Sequence, residues 1–222
     1  MNGRTPPGRR AALLLGAALL AGCVSVGNGA DTPAHAYLRL TDPGTAGVER
    51  RAAPLLDALL VQPQPADALA DTVSIAYARA PERYGFYQFA SWTERPVRQL
   101  PQLLQRRLEA RGLAGAVGLV GDPLRADWLL TLRVDAIYHD AGAEPGRARL
   151  ALTAELFDRR ARVRVARRAV DADVPVARAD APAAAAAMSQ AVAQAFDVLA
   201  PWVEAELGRA LSAAAAAPAS PR

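Results

Sequence analysis

One cysteine, two histidines and no lysine in 222 residues set the first limits on this chain. A single cysteine excludes an intrachain disulfide, so the fold must rest on its hydrophobic core. His35 and His139 lie far apart in sequence, and neither has a second ligand at H-x-x-x-H or C-x-x-C spacing, so no metal site is expected. Both read as solvent-exposed loop histidines. All 26 basic residues are arginines, which leaves no P-loop lysine and no Schiff-base amine. Ser74, Ser91 and Ser189 stand outside any G-x-S-x-G elbow. Gly115 to Gly121 lacks the G-x-G-x-x-G spacing of a dinucleotide loop and leads into Asp122-Pro123. Asp171 and Asp173 are paired carboxylates read as lying in a loop, with nothing to raise either pKa. No catalytic residue emerges, and the chain reads as a non-enzyme.

The N-terminus carries a stronger signal. Arg4, Arg9 and Arg10 precede an apolar run from Ala11 to Ala21. Eleven residues cannot cross a hydrocarbon core about 30 Å thick as a helix, whereas a cationic start and a short apolar stretch ending in small residues describe a secretory signal over residues 1–22. Leu20-Ala21-Gly22-Cys23 has the form of a lipobox. Small residues at Ala21 and Gly22 let a peptidase approach the backbone, and the Cys23 thiol accepts diacylglycerol as a thioether. Cys23 is therefore the expected lipidation site, carrying covalent diacylglycerol and an N-acyl chain and no other cofactor. Removing Arg4, Arg9 and Arg10 from the 26 basic residues leaves 23 against 22 acidic ones. A near-neutral processed chain gives no support to nucleic-acid binding, despite a sequence pI near 9.8.

Residues 23–34 read as a flexible tether rich in Gly, Asn, Asp and Pro. A single α+β domain is expected over residues 35–211, and a low-complexity, frayed tail over residues 212–222. Short strands are predicted at Ala36–Leu40, Leu55–Val61, Thr72–Ala78 and Tyr84–Phe89. A helix follows, with Thr93 as its cap, Pro96 in its first turn and Gly112 at its stop. Val97, Leu100, Leu103, Leu104 and Leu108 form its apolar stripe. Three alternating segments, Asp127–His139, Arg147–Asp158 and Arg162–Val170, predict an antiparallel meander. A four-residue turn at Asp158–Ala161 would set Leu156 against Val163 on the core face and Glu155 against Arg164 on the wet face. A last helix spans about Ala181–Leu211 and contains Pro201. The expected architecture is a two-layer α+β domain: a mixed or antiparallel sheet of about six strands with two long helices packed on one face.

Two patches are candidate partner-binding surfaces. Tyr84, Phe86, Tyr87, Phe89 and Trp92 crowd five aromatics into nine residues of a chain that is only 5% aromatic. Alternation puts Tyr84 and Phe86 on one face and Tyr87 and Phe89 on the other, and the helix from Val97 is expected to cover one set. The second patch is the run Arg159, Arg160, Arg162, Arg164, Arg167 and Arg168, read as a solvated strand or as a contact for anionic lipid or an acidic partner.

Taken together, the lipobox, the Tyr37-Leu38-Arg39-Leu40 strand and the aromatic segment ending in Trp92-Thr93-Glu94-Arg95-Pro96 form a pattern. It continues with Leu100-Pro101-Gln102-Leu103-Leu104, Ala154-Glu155-Leu156-Phe157-Asp158 and the alanine-rich helix ending at Trp202. The chain thereby resembles the PqiC-type auxiliary lipoproteins of MCE and ABC-linked intermembrane transport systems. The resemblance implies a lipid-anchored protein on the periplasmic face of the outer membrane. Its partner would be an MCE-domain protein that spans the periplasm, and it would act as a docking component, with ATP hydrolysis left to other subunits. Val24 and Ser25 include no aspartate of the kind that retains enteric lipoproteins at the inner membrane. Outer-membrane lipid is then the second partner, nucleic acid is not a partner, and a homo-oligomer is compatible with this reading. Two alternatives are an assembly factor for an outer-membrane barrel or lipopolysaccharide export complex, and a periplasmic lipid-binding carrier.

Overall fold

Buried leucines from strands and helices meet in one core, and the pattern of that burial organises the chain. A computed structural model describes residues 34–216. The lipobox residues Leu20, Ala21, Gly22 and Cys23, the rest of the signal segment and most of the tether lie outside the described residues. The domain runs β1 (Ala36–Leu38), a 3-10 turn at Pro43–Gly47, β2 (Leu56–Pro63), β3 (Ser74–Ala80), β4 (Arg83–Trp92), α1 (Pro96–Arg111), β5 (Ala114–Leu119), β6 (Trp128–Asp140), β7 (Arg147–Asp158), β8 (Val163–Pro175) and α2 (Ala181–Ala216).

All eight strands join one mixed sheet, two more than the six expected. β6 is its spine. One edge of β6 pairs antiparallel with β7 along its whole length. The other edge is shared: β2 pairs parallel with its first half, Leu59↔Trp128 to Pro63↔Leu132, and β3 pairs parallel with its end, Tyr77↔His139. β8 pairs antiparallel with β7, β4 antiparallel with β3, β1 parallel with β4 and β5 parallel with β2. Both helices pack into the core cluster. Leu100, Leu104 and Leu108 of α1 and Met188, Val192, Phe196, Leu199 and Val203 of α2 meet Leu130, Leu132, Leu150, Leu152 and Leu156 of the sheet. Full burial of such side chains contributes about 1.5–3 kcal/mol each. By length and composition α2 could cross a membrane, yet two thirds of its most apolar window is buried in this domain. Its hydropathy is that of a core helix.

Several expectations change in detail. Gly112 does end α1, in the left-handed region at φ 65°, but Thr93 does not cap it. The Thr93 amide donates to the Leu38 carbonyl, continuing the β1–β4 ladder, and Arg95 takes the cap position without a side-chain cap bond. Gly115 to Leu119 is a parallel strand, and at Gly115 an added Cβ would come within 2.9 Å of the Asp57 carbonyl oxygen. Asp171 and Asp173 lie within β8, not in a loop. Ser212–Ala216 are helical, so α2 outruns Leu211, and it continues through Pro201. The β7–β8 register also differs. Leu156 faces Ala166, Glu155 faces Arg167, and a bulge separates Leu156 from Phe157, which faces Arg164. The turn keeps four residues but is displaced by one, to Arg159–Arg162 with Arg162 at φ 58°, and with the extra residue in β8 Val163 and Val165 are exposed rather than core.

Candidate docking surfaces

With both helices on one side, the sheet has an outer face, and its two halves differ chemically. Over β6–β7–β8 that face is a ladder of paired charges. Asp173 accepts from Arg147 and Arg149, Arg149 also reaches Asp140, and Arg133 pairs with Asp135, which accepts from Thr153 Oγ1 at 2.6 Å. Glu155 accepts from Arg164 at 2.8 Å and lies 3.6 Å from Arg167. The expected Glu155–Arg164 pair therefore forms, although the bulge has moved Arg164 opposite Phe157. Exposed pairs of this kind contribute little stability and keep the face wet.

Over β1–β4–β3 the same face is aromatic. Ala78 pairs with both Tyr84 and Asp140, and Ala76 with Phe86, so Tyr84 and Phe86 stand on the outer face beside Tyr138. Tyr84 meets Tyr138 edge-on at 5.3 Å between ring centroids. Phe86 is 48% exposed, and Tyr84 and Phe89 nearly as much. Tyr37 belongs to this face because its neighbours Ala36 and Leu38 pack on the core; it is 72% exposed.

The other candidate aromatics turn inward. Trp92 is 3% exposed and is a core residue, which removes it from any surface. Tyr87 is half-buried. Its hydroxyl lies 2.6 Å from His139 Nδ1, while His139 Nε2 lies 2.9 Å from the Pro145 carbonyl oxygen. That carbonyl can only accept, so Nε2 carries the hydrogen, and in the neutral ring Nδ1 accepts from Tyr87. Burial, with Asp180 and Tyr77 nearby and only Arg79 opposing, raises the Tyr87 pKa and keeps its hydroxyl protonated. His139 is thus fully buried within β6, not an exposed loop residue. Ala179, ahead of α2, lines a cleft of about 350 Å³ together with Tyr77, Tyr87 and His139. The helix from Val97 packs instead on β5, β2 and β6, and it is α2 that reaches β4. Alternation alone cannot tell which helix lies on that side, because both pack on the same face of the sheet.

Arg159, Arg160 and Arg162 sit at the β7–β8 turn. Arg159 Nη1 donates to the Ala126 carbonyl at 2.7 Å, Arg160 lies 3.7 Å from Asp127, and Arg162 is exposed. This turn adjoins Trp128, the start of β6, since Trp128 pairs with Asp158. The aromatic patch lies by Asp140, its other end. Thirteen residues of strand separate the two ends by about 40 Å. One compact partner footprint therefore does not take in both patches.

The sequence patterns missed a third constellation. Arg107 of α1, 3% exposed, donates from Nε and Nη2 to both oxygens of Asp42 at 2.8 and 2.6 Å, and from Nη1 to Asp197 of α2 at 2.5 Å. Burial works against the guanidinium charge, but the hydrogen bonds and charges of Asp42 and Asp197 outweigh it and raise its pKa. Asp42 also accepts from the Gly44 amide and the Thr45 hydroxyl, which shapes the 3-10 turn. Together with a bond from the Thr41 amide to Ser189 Oγ at 3.2 Å, this fastens the segment after β1 to both helices. Among the described residues no group of three or more His, Cys, Asp or Glu is placed to hold a metal ion.

These features define a class: a two-layer α+β domain with a helix-covered core, an open outer sheet face and an N-terminal segment bolted to both helices. The family model for the ABC-type transport auxiliary lipoprotein component matches residues 38–200, most of the chain, and the chain belongs to that family. It is accordingly of a lipoprotein type, built to serve a transport system as an accessory part. A crystal structure of a Xanthomonas campestris protein of the DUF330 family is similar, at 25% identity and a TM-score of 0.66, over 80% of this chain and 97% of that one. A second solved structure, of an uncharacterized protein, is 15% identical with a TM-score of 0.60, over 77% of this chain and 99% of that one, and shares the fold. Among curated proteins, none matches this chain.

Proposed function

We propose that this protein is a non-catalytic docking subunit of an MCE/ABC-linked intermembrane lipid transport system, acylated at Cys23 and held on the periplasmic face of the outer membrane. The family supplies the accessory transport role. The observation that carries the docking role is the polarity of the sheet. β1 is parallel to β4, β4 antiparallel to β3, and β3 parallel to β6, so β1 runs antiparallel to β6. Traced backward from Ala36, the chain therefore leaves on the half of the sheet that holds Asp140. The arginine turn stands at the other end, beside Trp128. From Cys23 to Ala36 an extended chain reaches at most about 45 Å. The tether therefore joins the domain at the Asp140 end, and the arginine turn is the end of the sheet farther from that junction. Arg160, Arg162 and Arg164 then form the docking surface for an acidic face of an MCE-domain protein.

Palmitate labelling of the wild type and of Cys23→Ser tests the anchor: label and membrane association are both lost in the variant. A photocrosslinking residue at Val163, beside those arginines, tests the partner, and the expected product is an MCE-domain protein. Recovery of outer-membrane barrel proteins alone would mark an assembly factor instead. Lipid bound to the protein in native mass spectrometry would mark a carrier.

A further inference from the structure

Four exposed aromatics on a soluble domain call for an occupant, since contiguous apolar patches on protein surfaces mark contact sites whereas scattered single residues do not. Tyr37, Phe86 and Tyr84 share the outer face of β1, β4 and β3, and Phe89 is exposed where β4 departs from regular pairing with β3. Beneath them the sheet carries small residues, Ala76 and Ala78, both buried yet outside the main core cluster. The rings are therefore the outermost layer. A basic side chain stands at the end of the strip: Arg83 is exposed at the β3–β4 hairpin, next to Tyr84 and Glu82.

The place where the described chain begins selects among occupants. His35 lies 2.9 Å from Ser91 Oγ and its ring sits 5.0 Å from that of Tyr37. The tether thus enters at the aromatic strip itself, only a dozen residues after Cys23. Whatever surface the anchor sits in, this strip is the part of the domain nearest along the chain. Aromatic rings with a polar edge or a neighbouring arginine have their preferred site at the headgroup level of a bilayer, where the apolar body and the wet rim are both satisfied. We infer that the outer face of β1–β4–β3 is a lipid-contacting surface, with Tyr37, Tyr84, Phe86 and Phe89 seated at the headgroup level of the membrane that holds the N-terminus. This rests on acylation at Cys23. It also divides the two patches: the aromatic one faces lipid and the arginine turn faces protein.

The test uses full-length protein purified from membranes, its acylation read by intact mass, and reconstituted into phosphatidylethanolamine–phosphatidylglycerol vesicles containing lipid brominated near the headgroup. Phe86→Trp and Val163→Trp place an exposed reporter at each end of the sheet, and thermal melts verify that both variants fold. The bromolipid is expected to lower the added fluorescence of Phe86→Trp about twofold, as for an interfacial indole, and to leave Val163→Trp unchanged. No quenching at Phe86→Trp, or equal quenching at both positions, overturns the inference. So does a Phe86→Trp signal that changes only when the transport partner is added, which would make the strip a protein contact. Loss of acylation in the mass spectrum would instead overturn the anchored reading itself.

Discussion

Arg107 and Asp42 form a two-pronged ion pair in which both side chains are almost fully buried, at 4% and 1% exposure. Its strength lies in completeness. Asp42 satisfies its remaining capacity with Gly44 and Thr45, and Arg107 spends its last prong on Asp197. A buried pair of this sort adds modest net stability, yet removing one partner strands the other charge in the core. Asp42→Ala and Arg107→Ala should each lower unfolding stability by about 3–5 kcal/mol. Asp197→Ala, whose carboxylate is mostly exposed, should cost about 1 kcal/mol or less. Urea melts of the three variants check the order.

The same pair constrains a glycine. A Cβ at Gly44 would fall 2.0 Å from Arg107 Nη2. Gly44→Ala should therefore push the guanidinium off Asp42 and destabilise the domain nearly as much as Arg107→Ala. A double variant, Gly44→Ala with Arg107→Ala, should be no worse than Arg107→Ala alone, because the clashing group is gone. Additive losses in the melts would show that Gly44 matters for some other reason.

Much of this molecule is legible in its sequence, and the exceptions share a cause. Period-two runs in Trp128–Asp140 and Arg147–Asp158 and the leucine stripe of α1 are strong because each element buries one face on a single core. The β7–β8 register was not legible, since it depends on a bulge and on the left-handed Arg162, neither of which has a pattern of its own. β5 hid behind its glycines: Gly115 and Gly118 are small because Asp57, Asp122 and Leu124 crowd them. Of the candidate site, Tyr84, Arg160, Arg162 and Arg164 are exposed and Tyr87 turns inward opposite Tyr84 by plain alternation, whereas a change of parity in β4 brings Phe89 out, away from the Tyr87 face where alternation puts it, and takes Trp92 into the core. Asp42 and Arg107 lie 65 residues apart, and no local periodicity connects them.

Tyr87 and His139 offer a second buried contact to test. Tyr87→Phe removes the hydroxyl facing Nδ1 and leaves that acceptor without a partner, at a cost of about 1–3 kcal/mol. The compensating change is harder at Gly146, where a Cβ would sit 2.3 Å from His139 Nε2 and where φ is +91°. Gly146→Ala should accordingly be worse than Tyr87→Phe. Paired thermal melts give the ranking, and the reverse order would refute it.

Acid should loosen the junction of the helices. Burial raises the Glu204 pKa, but hydrogen bonds from Arg111 and Arg51 outweigh it and hold the carboxyl below its usual range. Asp180 is held low by the Ala183 amide, against a small opposing effect of burial. A carboxyl with a depressed folded-state pKa stabilises the fold above its unfolded value and loses that contribution as pH falls through the folded one. Stability should hold near neutrality and fall below roughly pH 4, the ordinary carboxylate range. Glu204→Gln should be less stable than wild type at pH 7, with the gap narrowing as pH falls below the ordinary carboxylate range. A constant gap across that range would show that Glu204 contributes through packing and not through charge.

Charge reversal at the β7–β8 turn bears on how the protein meets its partner. Arg160 and Arg162 tolerate it structurally, because one makes only a 3.7 Å exposed pair with Asp127 and the other is exposed at the turn. Arg164 does not, since a glutamate there would face Glu155, so glutamine is the proper change. Arg160→Glu, Arg162→Glu and Arg164→Gln together should leave the melting temperature within a few degrees of wild type. Exposed charges at a docking rim act mainly on encounter, so the yield of partner crosslink from Val163 should fall about tenfold at low salt and the deficit should shrink as salt is raised. Membrane association should stay at the wild-type level, because the proposed anchoring rests on the far end of the sheet and on Cys23. A triple variant that lost membrane association while keeping its crosslink would invert the assignment of the two ends.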